Sequence, residues 1–239
     1  MTDTIESKRD WRSHWAGAVE RAGPEEFLAQ VGFTANGRPK EAIQLDMIEK
    51  AVREGLAIAP SDILLDLCCG NGLLTKRIAP MARRMYGVDF SPALIEVACR
   101  RFSGPNITYL CHSAVDLEII DVGGDRITKV YMIGALQYFT PESIGSLMGT
   151  IRKLSEGAAP IYFADIPDVE HLYDFYDTAE RRAEYQRRLA AGTEAVGTWW
   201  SKPALVKLCE KFGYAAQIIS QDATRYGAHY RFDLLVRPK

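Results

Sequence analysis

Asp66-Leu67-Cys68-Cys69-Gly70-Asn71-Gly72 sets a carboxylate, a glycine turn and the opening of a helix in direct succession. Gly70 and Gly72 allow backbone angles and a close ligand approach that a Cβ would obstruct, and the amides that open the next helix face whatever lies above the turn. A second acid, Asp89, closes the apolar run in Tyr86-Gly87-Val88-Asp89-Phe90-Ser91, where a carboxylate can accept from two ribose hydroxyls. The pattern is that of a nucleotide-type site. Groups that could take a proton there are His229, which titrates near neutrality, and Asp165, at the end of a central strand whose side chains face the cleft. His112 and His14 stand behind them.

These groups need a sheet to bring them to one edge. Ile63, Leu64, Leu65 and Leu67 form the short apolar run of a buried parallel strand. Further strands are predicted at Arg84–Val88, Ile107–Cys111, Lys129–Ile133 and Pro160–Ala164, with a closing pair near Ala215–Ser220 and Tyr230–Arg237. Helices alternate with them: Lys40–Glu54, the segment after Gly72, one capped by Ser91-Pro92, one opened by Thr140-Pro141-Glu142, and Pro203–Phe212, stopped by Gly213. Residues 1–55 read as a cap of amphipathic helices carrying Trp11, Trp15, Val19, Phe27 and Leu28, after a polar start (1–9) expected to be loose. Val31–Pro39, including Asn36-Gly37, is rich in turn formers.

Residues 166–200 exceed what the bare alternation needs. Leu172, Phe175, Tyr176, Ala179, Ala183 and Leu189 make a helical stripe, and mixed charges around Arg181, Arg182 and Arg187 give it a solvated face. With Gly192 and Gly197 as hinges, the segment reads as a lid, and Tyr173, Tyr176, Trp199 and Trp200 either wall a substrate or simply pack.

With 239 residues, 47% hydrophobic and 25% charged, the chain is an ordinary globular one long enough for a full core. A net charge of −2 offers no general attraction to nucleic acid or anionic lipid, and no charge-free apolar run reaches the length of a membrane span, so the expected setting is cytoplasmic. The five cysteines, Cys68, Cys69, Cys99, Cys111 and Cys209, form no C-x-x-C pair and are expected to be reduced core thiols; no metal is expected.

The chain resembles the class I S-adenosylmethionine-dependent methyltransferases in its first motif at 66–72, with Cys68 where that family has a glycine, and in Asp89 at the family's ribose-binding position. The resemblance implies a single methyltransferase domain over 1–239. Its fold would be a doubly wound, mostly parallel seven-stranded sheet with an antiparallel last strand, a helical N-terminal cap and a lid insert after the fifth strand. It also implies S-adenosylmethionine as cofactor, S-adenosylhomocysteine as product, and Asp66, Cys68, Gly70, Asn71, Gly72, Asp89, Phe90, Ser113, Ala114 and Gly134 around it. Ser113 stands where the family usually has an aspartate for the adenine amino group. Phe33, Thr34 and Gln44 either touch the cofactor or pack.

In the same register Tyr138 lies beside the methyl group, so the catalytic candidates become His229, Tyr138 and Asp165. Tyr226, His229 and Arg231 join the lid aromatics and Tyr138 as substrate contacts. The segment Gly134–Phe139 is neither Asn-Pro-Pro-Tyr nor Pro-Cys, which argues against nucleobase acceptors. The expectation is methylation of a small molecule, at oxygen more than nitrogen. Two alternatives stay open: a nucleotide-binding protein of this fold without transfer, and an NAD-dependent oxidoreductase, which Thr75 in place of a third glycine disfavours. Oligomeric state is not legible.

Overall fold

The computed structural model describes residues 3–35 and 38–239; Asn36-Gly37, expected to turn, lie outside the described residues. Seven strands build the main sheet: β1 (Ile63–Leu67), β2 (Arg84–Asp89), β3 (Ile107–Cys111), β4 (Lys129–Ile133), β5 (Ile161–Pro167), β6 (Tyr214–Ser220) and β7 (Arg231–Pro238). Their order is 3-2-1-4-5-7-6, parallel from β3 through β5, with β7 antiparallel to both β5 and β6. Strand order therefore reverses between β1 and β4, and a ligand crevice opens beyond their carboxyl ends.

Alternation along each strand sends side chains to two cores. Leu65, Leu67, Val88, Val130, Met132, Ile161 and Phe163 pack with Ile144, Leu147, Met148 and Ile151 of α7 (Pro141–Leu154) and Leu205 and Cys209 of α10 (Lys202–Lys211). Leu64, Met85, Tyr131, Tyr162 and Leu235 meet Ile48, Val52 and Leu56 of α4 (Ala42–Leu56) on the other face; α4 follows the short cap helices α1 (Trp11–Ala16), α2 (Ala18–Ala22) and α3 (Phe27–Gln30). Pro at the start of α7 and of α6 (Pro92–Arg101) sits behind capping Thr140 and Ser91, whose hydroxyls accept the amides of Ser143 and Leu94.

Three expectations change. The stretch at 1–9 is not loose throughout: Ile5 and Trp199 exchange backbone hydrogen bonds of 2.9 and 2.8 Å. The lid does not form one continuous helix. It breaks into α8 (Leu172–Phe175) and α9 (Ala179–Ala191), with Thr178 capping the second. Its aromatic residues turn inward: Val169, Leu172, Tyr185, Val196, Trp199 and Tyr230 form a third small core with Ile5, Phe175, Tyr176 and Leu189. All five cysteines are free thiols, but Cys99 and Cys111 are exposed rather than in the core.

Gly197 locks this insert against the sheet. Its φ is +111°, and a Cβ there would lie 2.5 Å from the Gln137 carbonyl oxygen, which accepts the Thr198 amide. Gly197→Ala is expected to cost about 1–3 kcal/mol of stability through left-handed strain and overpacking, read as a lower urea midpoint. An unchanged midpoint would mean that this contact yields freely.

Candidate active site

Helix α5 (Leu73–Ile78) starts above the β1 tip, and its N-cap Gly72 is left-handed. The turn between them holds Gly70 at φ +57°, with Val31 of the cap 2.6 Å from where a Cβ would stand. Cys68 also has a left-handed φ of +58°, a conformation costing a non-glycine residue about 1–2 kcal/mol. It thus adopts the backbone of the glycine it replaces.

Beyond this turn lies a cleft of about 580 Å³, within the range of small-molecule sites. The turn (Asp66, Cys68, Cys69, Gly70, Asn71), the β2 end (Asp89, Phe90), the β3 end (His112 to Ala114) and the β4 end (Gly134, Ala135, Gln137, Tyr138) all line it. Asp165 and Arg231 close the far side. The lid reaches the cleft through Ala195 and Val196, and the N-terminal cap covers it with Trp11, Arg12, His14 and Trp15 of α1 (Trp11–Ala16) and with Phe33, Thr34 and Lys40.

Asp89 is buried, and its carboxylate accepts the Gly70 amide at 3.0 Å and the Ser91 amide at 2.9 Å. Burial pushes its pKa up; those two amides pull against the rise. Asp66 is deeper. Burial raises its pKa to about 7, against the pull of a 2.6 Å hydrogen bond from the Thr75 hydroxyl, and the Asp89 charge adds to the rise. An acid whose pKa rises on folding binds a proton more tightly folded than unfolded. Its contribution to stability is therefore lost as pH climbs from about 4 toward 7. Asp66→Asn is expected to flatten that part of the urea-midpoint profile relative to wild type; parallel profiles would contradict the shift.

Asn71, fully buried, donates to the Phe27 carbonyl at 2.8 Å and to Gln30 Oε1 at 2.9 Å, clasping the cap to the turn. Two buried polar atoms in the cleft lack a partner among the described residues: Gln137 Oε1, an acceptor, and Trp15 Nε1–H, a donor. The Arg9 guanidinium donates to His14 Nδ1 at 2.9 Å. Arginine only donates, so the neutral ring carries its proton on Nε2. Burial and the charges of Arg9 and Arg21 hold its pKa down near 4.

At the far side of the cleft a bulge in the β5–β7 pairing, between Phe163 and Ile166, turns Asp165 to φ +61°. Its amide donates to Asp233 at 2.9 Å. Arg225 bridges Asp165 and Asp233 at 2.7 Å each, and Gln221 donates to both carboxylates. Against the effect of burial, Arg225, then Arg231 and Lys40, hold the Asp165 pKa below its ordinary value. Tyr138 packs at a tilt on Trp11 (centroids 4.5 Å apart) and edge-on to Trp15 (5.4 Å), and burial pushes its phenol up to about 12.

Residues 64–156 match the family model of a methyltransferase domain, the span that carries the turn, Asp89 and the β4 tip. Over that span the chain is similar to methyltransferase domains, as the motif at 66–72 leads one to expect. It is 32% identical over 101 residues to an uncharacterized methyltransferase of Synechocystis, covering 42% of this chain and 45% of that protein. It is 38% identical over 79 residues to the 2-phytyl-1,4-naphtoquinone methyltransferase of Trichormus variabilis, covering 30% of this chain and 34% of that protein. The match thus spans between a third and a half of the length of these curated relatives. The fold superposes on the magnesium protoporphyrin IX methyltransferase of Synechocystis with bound S-adenosylhomocysteine, with a TM-score of 0.64 and 13% identity over 96% of this chain and all of that one. The expected seven-stranded methyltransferase sheet is the one found.

Against that methyltransferase framework, the residues taken from the first motif, Asp89, Phe90, Ser113, Ala114 and Gly134 gather on one cleft wall, except that Gly72 caps α5 without lining the cleft. The substrate expectations need more correction. His229 is exposed, rests edge-on against Tyr230 and lies off the cleft lining, because its hairpin turns outward. Trp199 and Trp200 are fully buried in core, Tyr176 stacks on Tyr185, and Tyr173 and Tyr226 face solvent. None of these five lines the cleft; Tyr138, Asp165 and Arg231 do. Asp165 is ill-suited as a base, since Arg225 holds it ionised. Gln44 misses the cleft and instead bonds the Thr224 carbonyl and the Tyr226 amide. The cleft residues sequence reasoning missed as ligand contacts, Trp11, Arg12, Trp15, Lys40 and Gln137, sit on the cap or at the β4 tip. The i, i+4 tryptophan pair was the only local signal.

Proposed function

We propose that this protein transfers a methyl group from S-adenosylmethionine to a small-molecule acceptor, at oxygen rather than nitrogen, acting in the cytoplasm and not on nucleic acid. Asp89 carries the reading. It is buried at the strand-order switch, and each carboxylate oxygen accepts one backbone amide, leaving lone pairs for two ribose hydroxyls. Phe90, Ser113 and Ala114 would face the adenine. The unpartnered Gln137 Oε1 and Trp15 Nε1–H fit the ammonium and carboxylate of a methionyl end.

When bound, the donor supplies a methyl group already activated on sulfur. The protein therefore chiefly aligns the acceptor, an effect worth roughly 7–11 kcal/mol. Tyr138, protonated at neutral pH, can donate to an acceptor oxygen and fix its direction. The Trp11 and Trp15 rings that pack on it exclude water there. Lys40 and Arg231 line the same cleft and repel a basic amine, which supports oxygen as the acceptor atom. The quinone and porphyrin named for the relatives support a small-molecule acceptor.

Isothermal titration calorimetry should show S-adenosylhomocysteine binding in the micromolar range and no heat with NAD. Binding of NAD instead, or of neither, overturns the reading. Binding without turnover in a labelled-methyl screen of metabolite pools would leave a binding protein.

A further inference from the structure

The far side of the cleft holds more positive charge than its own acids can match. Three cations, Lys40, Arg225 and Arg231, gather there around Asp165 and Asp233. Arg225 is committed to both carboxylates. Lys40 and Arg231 line the cleft, yet among the described residues neither has a carboxylate within ion-pair distance. Arg231 donates to the Asp165 backbone carbonyl and lies 5.0 Å from the Tyr230 ring. The Lys40 ammonium rests on aromatic faces, 4.5 Å from the centre of Phe33 and 5.3 Å from that of Tyr226. Asp222, on the same hairpin as Arg225, is exposed and accepts from the Thr224 hydroxyl. Two unmatched cations beside an apolar wall are costly unless an anion joins them.

We infer that the acceptor carries an anionic oxygen group, a carboxylate or a phosphate, that docks between Lys40 and Arg231 beside Tyr138. Arginine's fork suits the two oxygens of such a group, and Lys40 adds a point charge. This specificity rests on the methyltransferase reading above, and it assigns the substrate class that the cofactor wall leaves open.

The test uses the full chain saturated with S-adenosylhomocysteine. A panel of aromatic and aliphatic carboxylic acids, each paired with its primary amide, and of phosphate monoesters paired with their parent alcohols, is followed by ligand-observed NMR. Acids or phosphate esters should bind while their neutral partners do not, and whichever series binds names the anion. Arg231→Gln and Lys40→Gln should each weaken that binding at least tenfold, with Arg231→Lys recovering part of it. S-adenosylhomocysteine affinity in the same variants should stay within twofold, which also shows that they are folded. Equal binding of neutral partners, binding untouched by both substitutions, or no anion in the panel binding overturns the inference. So does a tenfold loss of S-adenosylhomocysteine affinity in either variant, which would assign these cations to the methionyl carboxylate. Wild type failing to bind S-adenosylhomocysteine at all would instead sink the methyltransferase reading.

Discussion

Replacing Asp233 by alanine is expected to remove about 3–5 kcal/mol from the unfolding free energy, the cost of leaving a buried charge without its partner. Asp233 is 1% exposed. Its carboxylate accepts from Tyr162 Oη at 2.9 Å, the Asp165 amide at 2.9 Å, and Gln221 and Arg225 at 2.7 Å each. Without it the Arg225 guanidinium keeps only Asp165, and the Tyr162 hydroxyl and Asp165 amide lose their acceptor. Asp233→Asn should fall between, since it keeps an acceptor oxygen and loses the charge. Urea unfolding measures both. A loss under about 1 kcal/mol for the alanine variant would show that water replaces the carboxylate, and the arrangement of the far side of the cleft argued from it would fail.

Asp89→Ala is expected to weaken S-adenosylhomocysteine binding about a hundredfold, near 2.7 kcal/mol. A hydrogen bond to a charged group is worth roughly 1.5–3 kcal/mol, and on the proposed reading this one carboxylate would accept from two ribose hydroxyls. The substitution also frees the Gly70 and Ser91 amides, which loosens the turn that forms the cleft wall. Asp89→Asn separates these contributions: its amide oxygen can still accept one backbone amide, so most of its loss reports the ligand. Calorimetry that finds either variant within threefold of wild type would contradict the ribose assignment.

The cleft wall that carries Asp66, Gly70 and Asp89 was legible because it is local. A strand, a turn and a following strand bring Asp66, Gly70 and Asp89 together through parallel neighbours β1 and β2, and such pairing is written as short apolar runs and glycines. The far side, with Asp165 and Arg231, was not, because its parts come from distant segments. Asp165 sits at a strand end in the sequence, but Arg225 and Gln221, which fix its charge state, arrive from beyond β6. The lid shows the limit of periodicity: a stripe of Leu172, Phe175 and Tyr176 fixes which side is apolar, not what it meets. Those side chains meet Trp199 and Tyr230 in a private core. His229 was favoured for its titration range, yet position decides before pKa, and its hairpin turns the ring to solvent.

The strap formed by Ile5 and Trp199 has a kinetic side. Arg9, four residues on, donates to the Glu194 carbonyl at 2.9 Å, and α1 follows directly with the rings that roof Tyr138. The roof and the insert are therefore joined by one main-chain pair, Ile5 with Trp199, and by the Arg9 side chain. A ligand that left by that side would have to part Ile5 from Trp199 first.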